Sequence, residues 1–273
     1  MIPGIHVSVS GGLNKALDKL TELELPCGQI FTSNQLQWEG RAITESEVDR
    51  YSSRSVSIVS HASYLINLAT ADRKKKKLSI AALETELERM HLLGIKWCVL
   101  HPGAHMGSGE ETGIGRISSI AEKVLLNSPE DTGILYENTA GQGTTLGYSF
   151  EQLARLLELT GIPERTGICF DTCHAFAAGY DLSSVEAVSE AVGKFDEIVG
   201  VHNIKAFHIN DSQGECGSHR DRHASPGEGH IGLEPLRYLA SLTEFINIPG
   251  LAETPGTDKD RACDIKKTVT ENR

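Results

Sequence analysis

Eight short apolar runs recur along this chain, and helical patterns follow most of them. The runs are GIHVS around Ile5, CGQIFT around Ile30, SVSIVSH around Ile58, WCVLHPG around Val99, GILYENT around Leu135, TGICFDTCH around Cys169, IKAFHIND around Phe207 and GLAETPG around Ala252. They are rich in β-branched residues and show little polar alternation, as strands covered on both faces require. Between them lie GGLNKALDKLTEL, a Lys-rich helix opening at RKKKK, GIGRISSIAEKVLL, SFEQLARLLELT, VEAVSEAVGKFDEIV and GLEPLRYLASL. The second unit is the weakest, since AITESEVDRYSS supports only a short helix. Eight such units predict an α/β fold closed as a (β/α)8 TIM barrel. An open doubly wound sheet would use fewer strands and a glycine-rich first turn, and GIHVSVSGG is not GxGxxG. No Pro/Gly/Ser-rich linker divides residues 1–273, so a single barrel domain is expected.

Six of the runs close on a residue of metal-ligand type: His61, His101, Glu137, Asp171, His208 and Glu253 end the third to the eighth. In a barrel all the C-terminal strand ends point to one rim, where active sites lie. Any one of these residues alone is as easily a hydrogen-bonded strand cap. Six in successive strands of one barrel should converge on one spot. Carboxylates crowded there would repel one another unless a cation lay between them. Imidazole mixed with carboxylate favours zinc, manganese or iron over magnesium or calcium. Three histidines with three carboxylates exceed one tetrahedral site and suit two metals sharing a bridging carboxylate.

The stretch DRHASPGEGHIG, from Asp221 to Gly232, has no amphipathic period and reads as a loop after the seventh strand. Asp221 and His223 then hang over the same rim. His174, three residues beyond Asp171 in FDTCH, is placed on the loop after the sixth strand. His174, Asp221 and His223 form a further N/O set of three, enough for a third metal with an open position. Gly227, Gly229 and Gly232 let the loop fold back. His105 and His230 read as neighbours of the site, not ligands, and His6 as core-lining or supporting. His219 and Cys216 are weaker competitors for the third metal.

Hydrophobic residues make up 39% of the 273, enough for one large core. The formal net charge of −11, taken plainly, argues against nucleic-acid or anionic-membrane partners. No apolar run approaches membrane-spanning length and no signal-peptide pattern follows Met1, so a soluble, cytoplasmic protein with no membrane partner is expected. Cys27, Cys98, Cys169, Cys173, Cys216 and Cys263 form no CxxC pair and are expected reduced, mostly in the core. The run Arg73–Lys77 is expected to be a solvated helix end, with a phosphate-facing role the rarer reading.

From HVSVSGG at His6 through NQLQW, SHASYLINLA, HPGAH, ENTAGQG, FDTCHAFAAGYD, HINDS and DRHASPGEGHIG to AETPG, the chain resembles the endonuclease IV family of zinc-dependent apurinic/apyrimidinic endonucleases. The resemblance covers nearly the whole chain in the family's order, and implies the same TIM barrel. It implies three zinc ions: one on His61, His101 and Glu137; one on Glu137 as a bridge with Asp171, His208 and Glu253; one on His174, Asp221 and His223. It implies hydrolysis of the phosphodiester 5′ to an abasic deoxyribose, with the metals activating water and taking up charge on the phosphate. Glu137 would be the central catalytic residue. Products would be a 3′-hydroxyl and a 5′-deoxyribose phosphate, and blocked 3′ ends would also be cleaned. The partner implied is double-stranded DNA containing abasic sites, bound by a monomer. Loops entering the minor groove would present Gln35, Leu36 and Trp38 of NQLQW and Tyr64 and Leu65 of SYLINL. The family's bacterial pattern has arginine where this chain has Leu36, which can wedge into a stack but cannot donate hydrogen bonds.

Two rival functions belong to other classes. A sugar isomerase of the same barrel superfamily would hold its metals mostly through carboxylates, which the histidine count and the DRH loop oppose. A non-catalytic DNA-damage binding protein would not need a complete ligand set with an open coordination position.

Overall fold

The computed structural model describes residues 1–35, 37–38 and 40–269. Its central feature is a closed barrel of eight parallel strands: β1 (Ile2–His6), β2 (Cys27–Ile30), β3 (Ser57–His61), β4 (Trp97–Leu100), β5 (Gly133–Glu137), β6 (Thr166–Asp171), β7 (Ile204–His208) and β10 (Pro249–Ala252). β1 pairs with both β2 and β10, which closes the ring. The TIM barrel expected from the alternating runs is therefore the fold. No described helix is long and apolar enough to cross a membrane.

The outer layer holds α1 (Leu13–Glu22), α2 (Glu45–Ser52), α3 (Arg73–Leu92), α4 (Glu110–Leu126), α5 (Phe150–Thr160), α7 (Val185–Ile198), α8 (Leu233–Ser241) and α9 (Asp258–Val269). In α1 the residues Leu13, Ala16, Leu17 and Leu20 are buried, the stripe that a 3.6-residue period puts on one side. α2 is short, as its weak pattern implied, but Thr44 and Glu47 form a capping box at its start. α3 begins with five basic residues at the positive end of its dipole, an unfavourable placement. Asp72 offsets it by accepting from the backbone N–H groups of Lys74 and Lys75. Four residues of that basic run are exposed and Lys76 is half-buried.

Two helices were not legible in the sequence pattern. One is α9. The other is α6 (Thr172–Ala178), which puts His174 on a helix and not on a loop. β6 runs straight into it because Asp171 ends the strand and also caps the helix, its Oδ1 accepting from His174 N at 2.7 Å. Cys27, Cys98, Cys169 and Cys173 are buried, Cys216 and Cys263 exposed, and all six are free thiols.

The barrel interior has an apolar layer of Cys27, Val59, Val99, Leu135, Cys169, Ala206 and Leu251, one residue from each of seven strands. Side chains alternate along a strand, so the next inward position is two residues further on. Those positions are Gln29, His61, His101, Glu137, Asp171, His208 and Glu253. On β1 the same step from the buried Gly4 leads to His6. One period-2 step thus converts an apolar plug into a polar ring at the mouth.

The stretch from Asp221 to Gly232 is mostly irregular, as expected, but starts in a two-stranded ribbon of β8 (Asp211–Ser212) and β9 (His223–Ala224). It folds around Asp211, which is fully buried. The Asp211 carboxylate accepts from the backbone N–H groups of Ser212 (2.7 Å), Ile231 (2.8 Å), Gly227 (2.9 Å), Gly232 (3.1 Å) and Gly229 (3.2 Å). A Cβ at Gly229 would collide with the Ser212 carbonyl and the Asp211 carboxylate, so glycine is required there by close approach. Replacing Asp211 strands several amides, each costing about 1–3 kcal/mol when buried without a partner. Asp211→Ala is expected to lower unfolding free energy by about 3 kcal/mol or more in urea titrations. A loss under about 1 kcal/mol would mean the loop is held by other contacts.

Candidate metal centre

The six strand-closing residues do converge. Three overlapping groups bring ligand atoms within 4.8 Å of one another: His61, His101 and Glu137; Glu137, Asp171, His208 and Glu253; and Asp171, His174 and His223. The first two contain the residues read from the sequence. The third has Asp171 where the sequence suggested Asp221. Asp221 is close by, its Oδ1 3.2 Å from His174 Nε2 and 3.5 Å from His223 Nε2, but its side chain is 44% exposed and covers the pair from the solvent side.

Glu137 lies at the centre and is fully buried. Its Oε2 is 3.4 Å from His61 Nε2 and 3.0 Å from His101 Nε2. Its Oε1 is 2.9 Å from His208 Nδ1 and 3.2 Å from His174 Nδ1. One oxygen therefore faces each of the first two groups.

Backbone carbonyls set the orientation of three imidazoles. Nδ1 of His61 lies 2.7 Å from Ala62 O, that of His174 3.0 Å from Asn138 O, and that of His223 3.3 Å from Glu253 O. An N–H on Nδ1 donates to the carbonyl and leaves the Nε2 lone pair turned inward. Asn210 and Asn138 brace Asp171: Asn210 Nδ2 donates to Asp171 Oδ2 at 2.8 Å, and Asn138 Oδ1 accepts from Asp171 N at 2.7 Å.

Among the described residues, buried side-chain polar atoms without a hydrogen-bond partner include Glu137 Oε2, His174 Nε2 and His223 Nε2. Buried polar groups are almost always paired. Lone pairs that converge without hydrogen bonds fit a cation between them, and the donor set of imidazole and carboxylate suits zinc, manganese or iron.

The titratable groups of the centre hold one another in their charged forms. Burial opposes ionisation of His101, His174 and His208, yet Glu137 beside all three, Asp171 and Asp221 beside His174, and Glu253 beside His208 hold these imidazoles above the usual histidine range. Burial likewise opposes ionisation of Glu137 and Glu253, but His101 and His208 hold Glu137, and His208 and His6 hold Glu253, well below the usual carboxylate range. Asp221 is lowered to about 2, burial being outweighed by His174 and His223.

Of the remaining expectations, Gln35 and Tyr64 line a cleft of about 440 Å³ beside Glu253 and His223, with Ser33, Asn34 and Arg261. Tyr64 is 53% exposed, and its ring centroid lies 5.3 Å from that of His61 and 5.7 Å from that of His101. Leu65 is half-buried and does not line the cleft. Trp38 is half-buried, and Leu36 lies outside the described residues. His219 Nδ1 is engaged with Ala140 O at 2.9 Å. His105 Nδ1 accepts from the Gly107 and Gly109 amides, a turn-holding role. The sequence reading missed Gln29 as a member of the ring and took His6 as core-lining or supporting, which its contacts to Glu253 and Gln29 match. The two-residue step from Cys27 was the available signal for Gln29.

A parallel barrel whose strand ends present three overlapping imidazole–carboxylate groups is the architecture of a metal-dependent enzyme. The xylose isomerase-like TIM barrel family model matches residues 18–269. The chain is 43% identical over 263 residues to the probable endonuclease 4 of Geobacter sulfurreducens, covering 94% of this chain and 89% of that one. It is 44% identical over 258 residues to the probable endonuclease 4 of Chloroflexus aurantiacus, covering 92% and 90%. The fold matches endonuclease IV from Thermus thermophilus with a TM-score of 0.86, 32% identity and 97% of each chain covered. A D-tagatose 3-epimerase-like protein shares the fold at 21% identity, with a TM-score of 0.75 over 99% of this chain and 97% of that one. The chain belongs to the endonuclease IV family and is an enzyme of that hydrolase class.

The raised histidines stabilise the metal-free barrel fully below the ordinary histidine pKa of about 6.5, and that stability is lost as pH rises through their higher folded values. The lowered carboxylates act oppositely: their contribution is present above about pH 4.5 and lost as pH falls through their folded values. Metal-free protein is thus expected to lose thermal stability as pH rises above about 6.5. Zinc must displace the histidine protons, so its stabilising effect grows over the same interval. Unfolding temperatures of chelator-treated and zinc-loaded protein across that range check this. A metal-free transition that climbs with pH would contradict the charge assignment.

Proposed function

We propose that this chain is a DNA-repair endonuclease that cleaves the phosphodiester 5′ to an abasic site in double-stranded DNA, using three zinc ions. The observation that carries this reading is Glu137, buried with one oxygen facing His61 and His101 and the other facing His208. One zinc would be held by His61, His101 and Glu137, a second by Glu137, Asp171, His208 and Glu253. The third would be held by His174 and His223 with Asp221. The proximity of Asp171 to that pair makes it the further oxygen available there. Bound zinc supplies Lewis acidity, which acidifies water and offsets charge on a phosphate.

The chain's own residues supply the rest. The carbonyl-fixed rings of His61, His174 and His223 keep their lone pairs directed inward, so little reorganisation precedes binding. The cleft beside Glu253 and His223 has space next to the metal groups for a sugar–phosphate unit displaced from the helix. Tyr64, exposed above His61 and His101, offers an aromatic face to a base stack opened by that displacement. Four carboxylates at a phosphate-binding mouth would repel DNA, and three divalent ions reverse that local sign. The acidic net charge and a nucleic-acid substrate are then compatible. Cleaning of blocked 3′ ends follows from the same chemistry, since it too severs a phosphate ester. We propose that the chain works as one barrel unit and as a monomer.

The direct test is nicking of a duplex carrying one abasic site by zinc-loaded, chelator-stripped and zinc-restored protein. Activity should be lost on stripping and return with zinc. Sugar epimerisation without nicking would instead favour an isomerase-type function. Glu137→Gln should lower turnover by roughly a thousandfold or more, equivalent to about 4 kcal/mol of barrier. Near-normal nicking by that variant would exclude Glu137 as a bridge.

The lesion-holding loop is tested separately. Tyr64→Ala combined with Leu65→Ala should weaken abasic-duplex binding by about tenfold or more, the worth of one stacking contact. Hydrolysis of a small aryl phosphodiester should stay nearly intact, because no proposed ligand is touched. Equal losses on both substrates would mean that these residues support the barrel mouth and do not read DNA.

A further inference from the structure

Three of the inward-facing histidines use backbone carbonyls to fix their rings, but His208 is turned the other way. Its Nδ1 faces Glu137 Oε1 at 2.9 Å, Glu253 Oε2 at 3.4 Å and Asp171 Oδ2 at 3.7 Å. Its Nε2 lies 2.9 Å from Gln29 Oε1. Gln29 is fully buried on the inner face of β2 and is the one amide in the ring of eight. The other end of that amide reaches Glu253: Gln29 Nε2 donates to Glu253 Oε1 at 2.7 Å. His6 Nδ1 lies 2.9 Å from both of those atoms and closes a triangle.

We propose that Gln29 is a positioning residue that selects, through the two ends of one amide, the nitrogen of His208 and the oxygen of Glu253 presented to the metals. The inference rests on the metal assignment proposed above. Its logic is donor–acceptor complementarity. A carboxylate only accepts, so the amide nitrogen must point at Glu253. The amide oxygen is then directed at His208, where it can only accept. The ring proton of His208 is therefore held on Nε2, and the lone pair is left on Nδ1, facing the three carboxylates. Glu253 spends Oε1 on Gln29 and His6 and keeps Oε2 for the centre. Among the described residues no backbone carbonyl does this for His208, and Gln29 takes that part. Groups behind a metal ligand tune affinity in this way, by about 10–100-fold.

The alternatives at this position fail for stated reasons. Leucine fills the space but neither accepts from His208 nor donates to Glu253. Glutamate still accepts from His208 but sets a second carboxylate against Glu253 Oε1.

The test uses the full chain and zinc as the probe. Gln29→Leu should remain folded by circular dichroism and bind zinc about 10–100-fold more weakly in chelator competition. Gln29→Glu should keep the His208 tautomer yet also lose zinc affinity, separating the two contacts. In ¹⁵N-histidine spectra of the zinc-loaded protein, the His208 proton should sit on Nε2 in wild type and Gln29→Glu. Where Gln29→Leu does not fold, the wild-type spectrum and Gln29→Glu still decide. A wild-type His208 proton on Nδ1, or folded variants that bind zinc within about twofold of wild type, would overturn the inference. Wild-type protein that binds no zinc at this centre would instead defeat the metal assignment on which the inference stands.

Discussion

A wholly buried carboxylate, Glu137, sits within 3.4 Å of nitrogens from four histidines far apart in the sequence. Burying one charge without compensation costs several kcal/mol even after relaxation. This chain buries several at one spot, so every surrounding element serves to keep them in register. β3, β5 and β7 end in His61, Glu137 and His208, His101 directly follows β4, and α6 supplies His174. The barrel suits this task because it brings distant residues to one rim on rigid strands. Beneath them lies a layer of apolar side chains that excludes water.

The polar surroundings of the centre are built from neutral groups. Asn138 and Asn210 brace Asp171, backbone carbonyls orient three imidazoles, and Gln29 reaches His208 and Glu253. Neutral braces fix geometry without adding charge to a site that already holds too much. Asp211 is the exception: it is buried and acidic, but it spends its carboxylate on backbone amides of the loop that carries Asp221 and His223. The chain's own hydrogen bonds thus shape the rim. The proposed metals would complete a preformed arrangement, which keeps the reorganisation on binding small.

The barrel was legible because its strands are buried on both faces and read as unbroken apolar runs. Six ring members were legible because each ends such a run with a residue costly to bury alone. Gln29 was not, since an uncharged amide inside an apolar run gives no sign of its partners on β7 and β10. His6 was read only as a supporting or core-lining residue, and its contacts to Glu253 and Gln29 are of the supporting kind. α6 was hidden because Asp171 is both the end of a strand and the cap of a helix, so no loop signal separates the two. Asp171 also approaches His174 and His223, and that sharing depends on β6 and β9 meeting in space. Asp211 gave no sign of its role, because the five amides that converge on it come mostly from residues 227–232.

The claim on which the account turns is that the barrel mouth holds metals around Glu137. Anomalous diffraction from crystals of the purified protein, recorded on both sides of the zinc absorption edge, tests it without any assay. The account predicts three peaks per chain: one among His61, His101 and Glu137, one among Glu137, Asp171, His208 and Glu253, and one beside His174 and His223. An absence of peaks at the mouth of zinc-supplied protein, or peaks that avoid Glu137, would contradict it.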